Sequence, residues 1–437
     1  MRKLLLITLV AMVAAAGFAA PVPEEETFDL ILVDTGKSAW DNAEGAYDTG
    51  GFNSFQEKIV AEFEEANPNI DVTYINRDTT QGSMTTDALR SAGTPPDVWL
   101  DSAGYFKDLL NAEDSLPLEQ YMDLSGYQQH LVDMYTRDGH VYALPVVNVV
   151  TGMAVNMTML EDIGYTLPAQ EDWTTDEFLD LAAQLKAAGY PATMIMTRDG
   201  FNTWMYPWIY AFGGSLYEDG DYSHVTINSP ETVAALEYIK QLVDMGFSQP
   251  YPNECDDDIG VEMFTTNQVF SCMMQTGHCD YWVPQQVAQG AIEEAFEYSF
   301  IEFPHGPGVA HTPVSGYQVI VNARRTDDEA RNLATIELFK TQVDEVYQTY
   351  TTTLQGAFPT LADFEVPNIG TAAKPSYLAM QQVAASTTLM DLGGQHPRAR
   401  EVIDAWKIPM QEFIAGERSA QDILNQFEAE ANAILAE

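Results

Sequence analysis

Apolar residues recur along this chain in two rhythms. Short apolar runs at residues 28–34 (FDLILVD), 70–75 (IDVTYI) and 96–101 (PDVWLD) have the length and bounding residues of buried strands. Between the first two, FNSFQEKIVAEFEEANPN (52–69) sets Phe52, Phe55, Ile59 and Phe63 on one helical face. Asn53 with Gln56 reads as its capping box, and Pro68 blocks its continuation. The same grammar resumes further on. GMAVN (152–156), NQVFSCMM (267–274) and SGYQVIVN (315–322) read as strands. TTDEFLDLAAQLKAAG (174–189) reads as a helix, with Thr174 and Glu177 as a capping box and Gly189 as its stop. SPETVAALEYIKQLVDMG (229–246) follows, with Ser229 as cap and Pro230 in the first turn. TDDEARNLATIELFKTQV (326–343) opens on the box Thr326 and Glu329. The last helix starts near Ser419 and buries Ile423, Phe427, Ala431 and Ile434. Strands alternating with helices predict an α/β fold with mostly parallel sheets flanked by helices. At 437 residues the chain is long enough for two such units. A cleft between them is where a ligand is expected.

The first 20 residues, MRKLLLITLVAMVAAAGFAA, depart from that grammar. Arg2 and Lys3 precede a short apolar stretch and then small residues, the layout of a secretory leader with cleavage after Ala19. The expected product is periplasmic or extracellular. The formal net charge of −45 repels nucleic acid and anionic lipid. Its acids are spread along the chain, as in a solvated coat. Cys255, Cys272 and Cys279 leave any disulfide pairing open. Cys272, His278 and Cys279 lack a second ligand pair at zinc spacing, and NECDDDIG (253–260) lacks the alternation of a calcium loop. No cofactor is expected.

Candidate binding chemistry begins with FNTWMYPWIYAFGG (201–214), a run in which six residues are aromatic. Such a run fits either a packed core or a surface that stacks flat ligands. Trp99, inside a buried strand, and Trp406, on a late helix, read as core. Asp34 and Asp101 end strands, where ligands of α/β sheets gather, or else cap helices. A glycoside hydrolase needs two carboxylates across a cleft, but nothing marks a particular pair, and no nucleophile elbow or phosphate loop is present. An enzyme is therefore not the expected reading.

The order of segments resembles the extracellular solute-binding proteins of ABC transporters, in the family that binds sugars and oligosaccharides. FNSFQEKIVAEFEEANPNIDVTYI, PPDVWLD, GHVYALPVVNVVTGMAVNMTMLEDIG, WTTDEFLDLAAQLKAAG, WIYAFGGSLY, MFTTNQVFSCMMQTG and SGYQVIVNAR carry the resemblance. It implies a two-lobed periplasmic-binding-protein fold, 28–147 plus 308–358 in one lobe and 148–307 plus 359–437 in the other, with ALPVVNVV (143–150) as the first hinge strand. It also implies a monomer that delivers ligand to membrane permease subunits without chemistry. Matching back from Gly213 and Gly214 places Trp204 and Tyr206 as rings that stack on sugar, with Trp208 and Tyr210 packing inward. The resemblance further implies ligand contacts from Asp34, Lys37, Trp40, Asp101, Tyr105 and Asn148, from Tyr281 or Trp282, and from Gly316 and Tyr317 beside the hinge. On a strand, Tyr281 and Trp282 would face opposite ways. An alternative is a cationic solute, a betaine or polyamine, caged by rings with Asp34 and Asp101.

Overall fold

The computed structural model describes residues 26–34, 54–77, 84–102, 110–169, 172–198, 205–218, 221–388, 390 and 398–436. The leader, Asn53, Lys37, Trp40, Tyr105 and Trp204 lie outside them.

The chain opens with β1 (Phe28–Asp34), α1 (Phe55–Ala66), β2 (Ile70–Asn76), α2 (Met84–Ser91) and β3 (Val98–Ser102). A long strand, β4 (Ala143–Asn156), leads into α3 (Thr175–Ala188), α4 (Tyr206–Ala211) and α5 (Pro230–Asp244). Then come β5 (Ser271–Gln275), α6 (His278–Ala288), β6 (Tyr298–Ile301) and β7 (Ser315–Ala323). Four helices used below follow: α7 (Glu329–Lys340), α8 (Glu345–Leu354), α9 (Pro375–Ser386) and α10 (Ala420–Ala436).

Local chemistry accounts for the helix starts. The Glu57 amide donates to Ser54 Oγ at 3.2 Å, while the Ser54 amide donates to Glu57 Oε2 at 3.2 Å. The box of α1 is thus Ser54/Glu57, one residue beyond the expected Asn53/Gln56. Gln56 is instead buried and donates to Gln342 Oε1 at 2.6 Å. Thr174 and Glu177 form their box on α3, and Ser229 caps α5 as expected. The cap of α7 is Asp328 rather than Thr326, which is held in the preceding turn by Asn332. In α10, Ile423, Phe427 and Ala431 are buried along one stripe.

One seven-stranded sheet runs β6–β4–β7–β3–β1–β2, with β5 also paired to β4. The parallel order expected from the alternating pattern holds for β1 with β2 and β3, and recurs in isolated bridges of Thr193 with Ser248 and Ser271. β4 and β7 enter antiparallel, because they carry the chain across the molecule instead of returning through a helix.

The segments 143–150 and 152–156 are one continuous strand, and every residue of that strand is buried. Its first half, through Val149, packs in one apolar core with β1, α1, α7 and α8. From Val150 it packs in a second core with α3, α4, α5 and α10. β7 returns beside it, with Val314, just before the strand, in the second core and Val319 in the first. A third crossing follows α8, where Ala357 belongs to the first core and Phe358 packs on the second. Pro145 fits inside β4 at a register irregularity opposite Val319 and Ile320, where its missing N–H is least costly. Gly152 leaves room for Met380 of α9, whose methyl would lie 2.5 Å from an added Cβ.

Candidate functional site

The strand ends that meet where the two cores join carry polar side chains. Asp34 closes β1 opposite Asn76 of β2, and its carbonyl accepts the Arg77 amide at 3.1 Å. The Arg77 guanidinium meets Asp101 of β3 at 2.6 Å, both side chains only 2% exposed. A buried pair of this kind adds little net stability against its desolvation cost. What it does provide is a carboxylate held in one place. On the neighbouring strand Asp101 faces Ile320 of β7, two residues from Gln318. Gln318 lies opposite Asn148 of β4 and donates to its Oδ1 at 3.1 Å, while the Tyr135 hydroxyl donates to Gln318 Oε1 at 3.4 Å. The Asn148 carbonyl accepts the Phe358 amide at 2.7 Å, so this residue sits where the first and third crossings touch.

The second core contributes α6. Thr276 fastens the loop before it to β4, through its amide and its hydroxyl, both 3.1 Å from the Val150 carbonyl. Gly277, at φ +82°, then packs backbone to backbone on Gln355 and Gly356, at the end of α8. Tyr281 and Trp282 follow in the first two turns of α6 and are half-buried. They lie on a helix, not the strand that would have sent them to opposite faces. About 100° apart around the axis, they meet edge to face at 4.9 Å and 83°. Asp280 anchors the same turn: it accepts from Tyr298 Oη at 2.6 Å and from Ser376 Oγ at 2.8 Å, which ties α6 to β6 and α9. Burial raises the Asp280 pKa from its ordinary value, opposed by those two hydrogen bonds. Gly316 is exposed on β7 opposite Val150; Tyr317 is opposite Val149, with its side chain outside the description.

The aromatic run resolves differently. Tyr206 opens α4 fully buried in the second core, and its hydroxyl has no partner among the described residues. Desolvation raises its phenol pKa well above the usual value. This corrects the expectation that the Tyr206 ring faces ligand: the side chain is enclosed in the second core, and α4 is buried nearly all round. Trp208 packs on Phe303 at 4.3 Å, Tyr238 at 5.3 Å and Phe178 at 5.6 Å. Trp406 donates to Met205 Sδ at 2.9 Å and packs on Phe427. Trp99 is buried with Val33. Cys255, Cys272 and Cys279 are buried free thiols.

Arg77, Gln318, Tyr135 and Thr276 were not singled out from sequence. Only Arg77 carried a signal, as a rare cation directly after a strand in a chain with 20 basic and 65 acidic residues.

Two α/β cores joined by paired crossing strands, with polar strand ends and a ring-bearing helix at the junction, define a two-lobed periplasmic-binding-protein fold. The unliganded and acarbose-bound GacH receptor of Streptomyces glaucescens has this fold (TM-score 0.73, 17% identity, 94% of this chain and 100% of that one). So does the cyclic alpha-maltosyl-1,6-maltose binding protein of Arthrobacter globiformis (TM-score 0.71, 18% identity, 94% and 99% coverage). UgpB of Mycobacterium tuberculosis, in complex with glycerophosphocholine, shares it too (TM-score 0.69, 16% identity, 94% and 98% coverage). The chain belongs to the bacterial extracellular solute-binding protein family, which matches residues 45–336. It is 26% identical over 220 residues to the lactose-binding protein of Rhizobium radiobacter, a match spanning 50% of each chain, so it covers about half the length of that curated relative. Among the described residues no helix is long and apolar enough to cross a membrane.

Proposed function

We propose that this protein binds a sugar or oligosaccharide at the junction of its lobes and hands it unchanged to the permease subunits of an ABC importer, outside the cytoplasmic membrane. The observation that carries this reading is the meeting of a polar stripe with a ring-bearing helix at the hinge strand β4. The stripe comprises Asp34, Asp101 and Asn148. Sugar hydroxyls need fixed acceptors and donors, and the C–H faces of the rings lie well on aromatic planes. The lactose-binding relative and the acarbose-bound GacH receptor favour a saccharide over a cation. The proposed lobes are 28–147 with 308–358 and 148–307 with 359–437. Further contacts are proposed for Lys37, Trp40, Tyr105, Trp204, Gly316 and Tyr317, with one of Tyr281 and Trp282 stacking on the ligand. Tyr206 is proposed to shape the segment before it from within the core. Closure follows when a ligand touches both lobes and favours the closed population.

Thermal-shift and calorimetric titrations test this with lactose, maltose, maltooligosaccharides and chitobiose, beside glycine betaine and spermidine. A saccharide should raise the melting temperature and be recovered uncleaved, with little dependence on salt. Binding of only the cations, weakened by salt, would replace the proposal with the cationic reading. Cleaved sugar would replace it with an enzyme.

A further inference from the structure

A cavity of about 240 Å³ opens at the end of the sheet remote from the lobe junction. Its walls come from α2, from the approach to β3 and from the residues just after β7. β3 and β7 are antiparallel with Val98 facing Ala323, so Asp101 and Gln318 lie towards their other ends. This cavity is therefore separate from the proposed sugar site.

Its chemistry is the inverse of the surface around it. Among the described residues, Arg90, Arg324 and Arg325 line it together with one carboxylate, Asp114, and with Thr86, Pro95, Pro96 and Trp99. A wall of three cations and one anion stands out on a chain with 20 basic residues and a net charge of −45. The guanidiniums are incompletely used. Arg324 gives one nitrogen to Asp97 at 2.6 Å, but its Nε is enclosed and has no partner among the described residues. Asp97 is already shared with Arg331, at 2.7 Å. Arg325 is exposed and donates to the Ala112 carbonyl at 3.1 Å, with no ion pair among the described residues. Arg90 reaches Asp114 only at 3.5 Å, with both side chains more than a third exposed.

We propose that this cavity is a second ligand site, selective for a small dianion, either phosphate or a short dicarboxylate. Guanidinium forks match the paired oxygens of both, and Asp114 competes for the same groups from the rim. The space, about 240 Å³, takes such an ion together with ordered waters that bridge it to the guanidiniums.

The test is the melting temperature of the full chain in sodium phosphate, sodium malonate and sodium chloride at matched ionic strength, with isothermal titration as the direct readout. Matching ionic strength removes the general screening that any salt gives so acidic a protein. Phosphate or malonate should raise Tm by roughly 2–5 °C beyond chloride when present far above its Kd. The larger response identifies which oxyanion the site prefers. Arg325→Gln, at an exposed position, should keep the parent's circular dichroism spectrum and remove most of that excess. Asp114→Asn should increase affinity several-fold by removing the competing carboxylate. Equal shifts in all three salts would overturn the proposal. So would an undiminished response in Arg325→Gln together with no gain in Asp114→Asn. Sugar binding at the lobe junction is unaffected by either result.

Discussion

Replacing Gly277 by alanine should separate two costs that are usually confounded. Gly277 precedes α6 at φ +82°, and Gly290 follows the same helix at φ +74°. An L-residue in the left-handed region costs about 1–2 kcal/mol, offset by about 0.4–1 kcal/mol from the stiffer unfolded chain. Gly290→Ala meets nothing within 4 Å among the described residues, so only this backbone balance applies and the net loss is about 1 kcal/mol. At Gly277 the new Cβ would sit 2.5 Å from the Gln355 carbonyl oxygen and 3.1 Å from its carbon. Those are backbone atoms at the end of α8, which cannot rotate aside. Overpacking of this kind adds about 1–3 kcal/mol, so Gly277→Ala should lose roughly 2–4 kcal/mol. Gln355 follows Leu354 of the first core, whereas Cys279 just beyond Gly277 belongs to the second. The wedge therefore acts where the lobes meet and should also weaken ligand affinity through α6. Urea denaturation midpoints of the two variants, converted with a common slope, measure the difference. Agreement within about 0.5 kcal/mol would refute the close approach and the argument built on it.

Other expectations follow from the same structure. Asp97 is fully buried, accepts the Ile31 amide at 2.9 Å and binds two arginines, so Asp97→Ala should cost about 3–5 kcal/mol in urea denaturation; a loss below 1 kcal/mol would mean the network is slack. If one of the rings on α6 stacks on sugar, either Tyr281→Ala or Trp282→Ala should weaken binding about tenfold by calorimetry at nearly unchanged Tm, whereas two unchanged affinities would remove the pair from the site. Desolvation pushes the His278 pKa down to about 4. The unfolded chain binds its proton first, near pH 6.5, so the stability it contributes is complete above that pH and is lost as pH falls towards 4. The slope should approach 1.4 kcal/mol per pH unit within that window. His278→Gln should flatten it, and an identical pH profile for the variant would show that the imidazole is solvated.

Legibility in the sequence followed the range of the interaction. The Thr174/Glu177 box and the Ser229 cap were readable because donor and acceptor lie three residues apart on one turn. The end of β1 at Asp34 and the placement of Asp101 within β3 followed from apolar runs that stop at a charge. Small errors of the same local kind arose where two candidates compete, as with Asn53 and Ser54, since both residue types cap equally well. Tyr281 and Trp282 lie on a helix that carries Pro284 in its interior, a residue unfavourable there, and packing of Cys279 and Val283 in the second core holds it.

Local periodicity and caps by themselves determined that this is an α/β chain of alternating elements with chemistry at its strand ends, because those signals depend on neighbours within a turn or two. Only the tertiary structure decided that β4 is one strand shared by two cores, that Arg77 grips Asp101, that Gln318 meets Asn148 and that Tyr206 turns inward. Each of those depends on which distant face fills the remaining volume, and a single chain read in order carries no record of that competition.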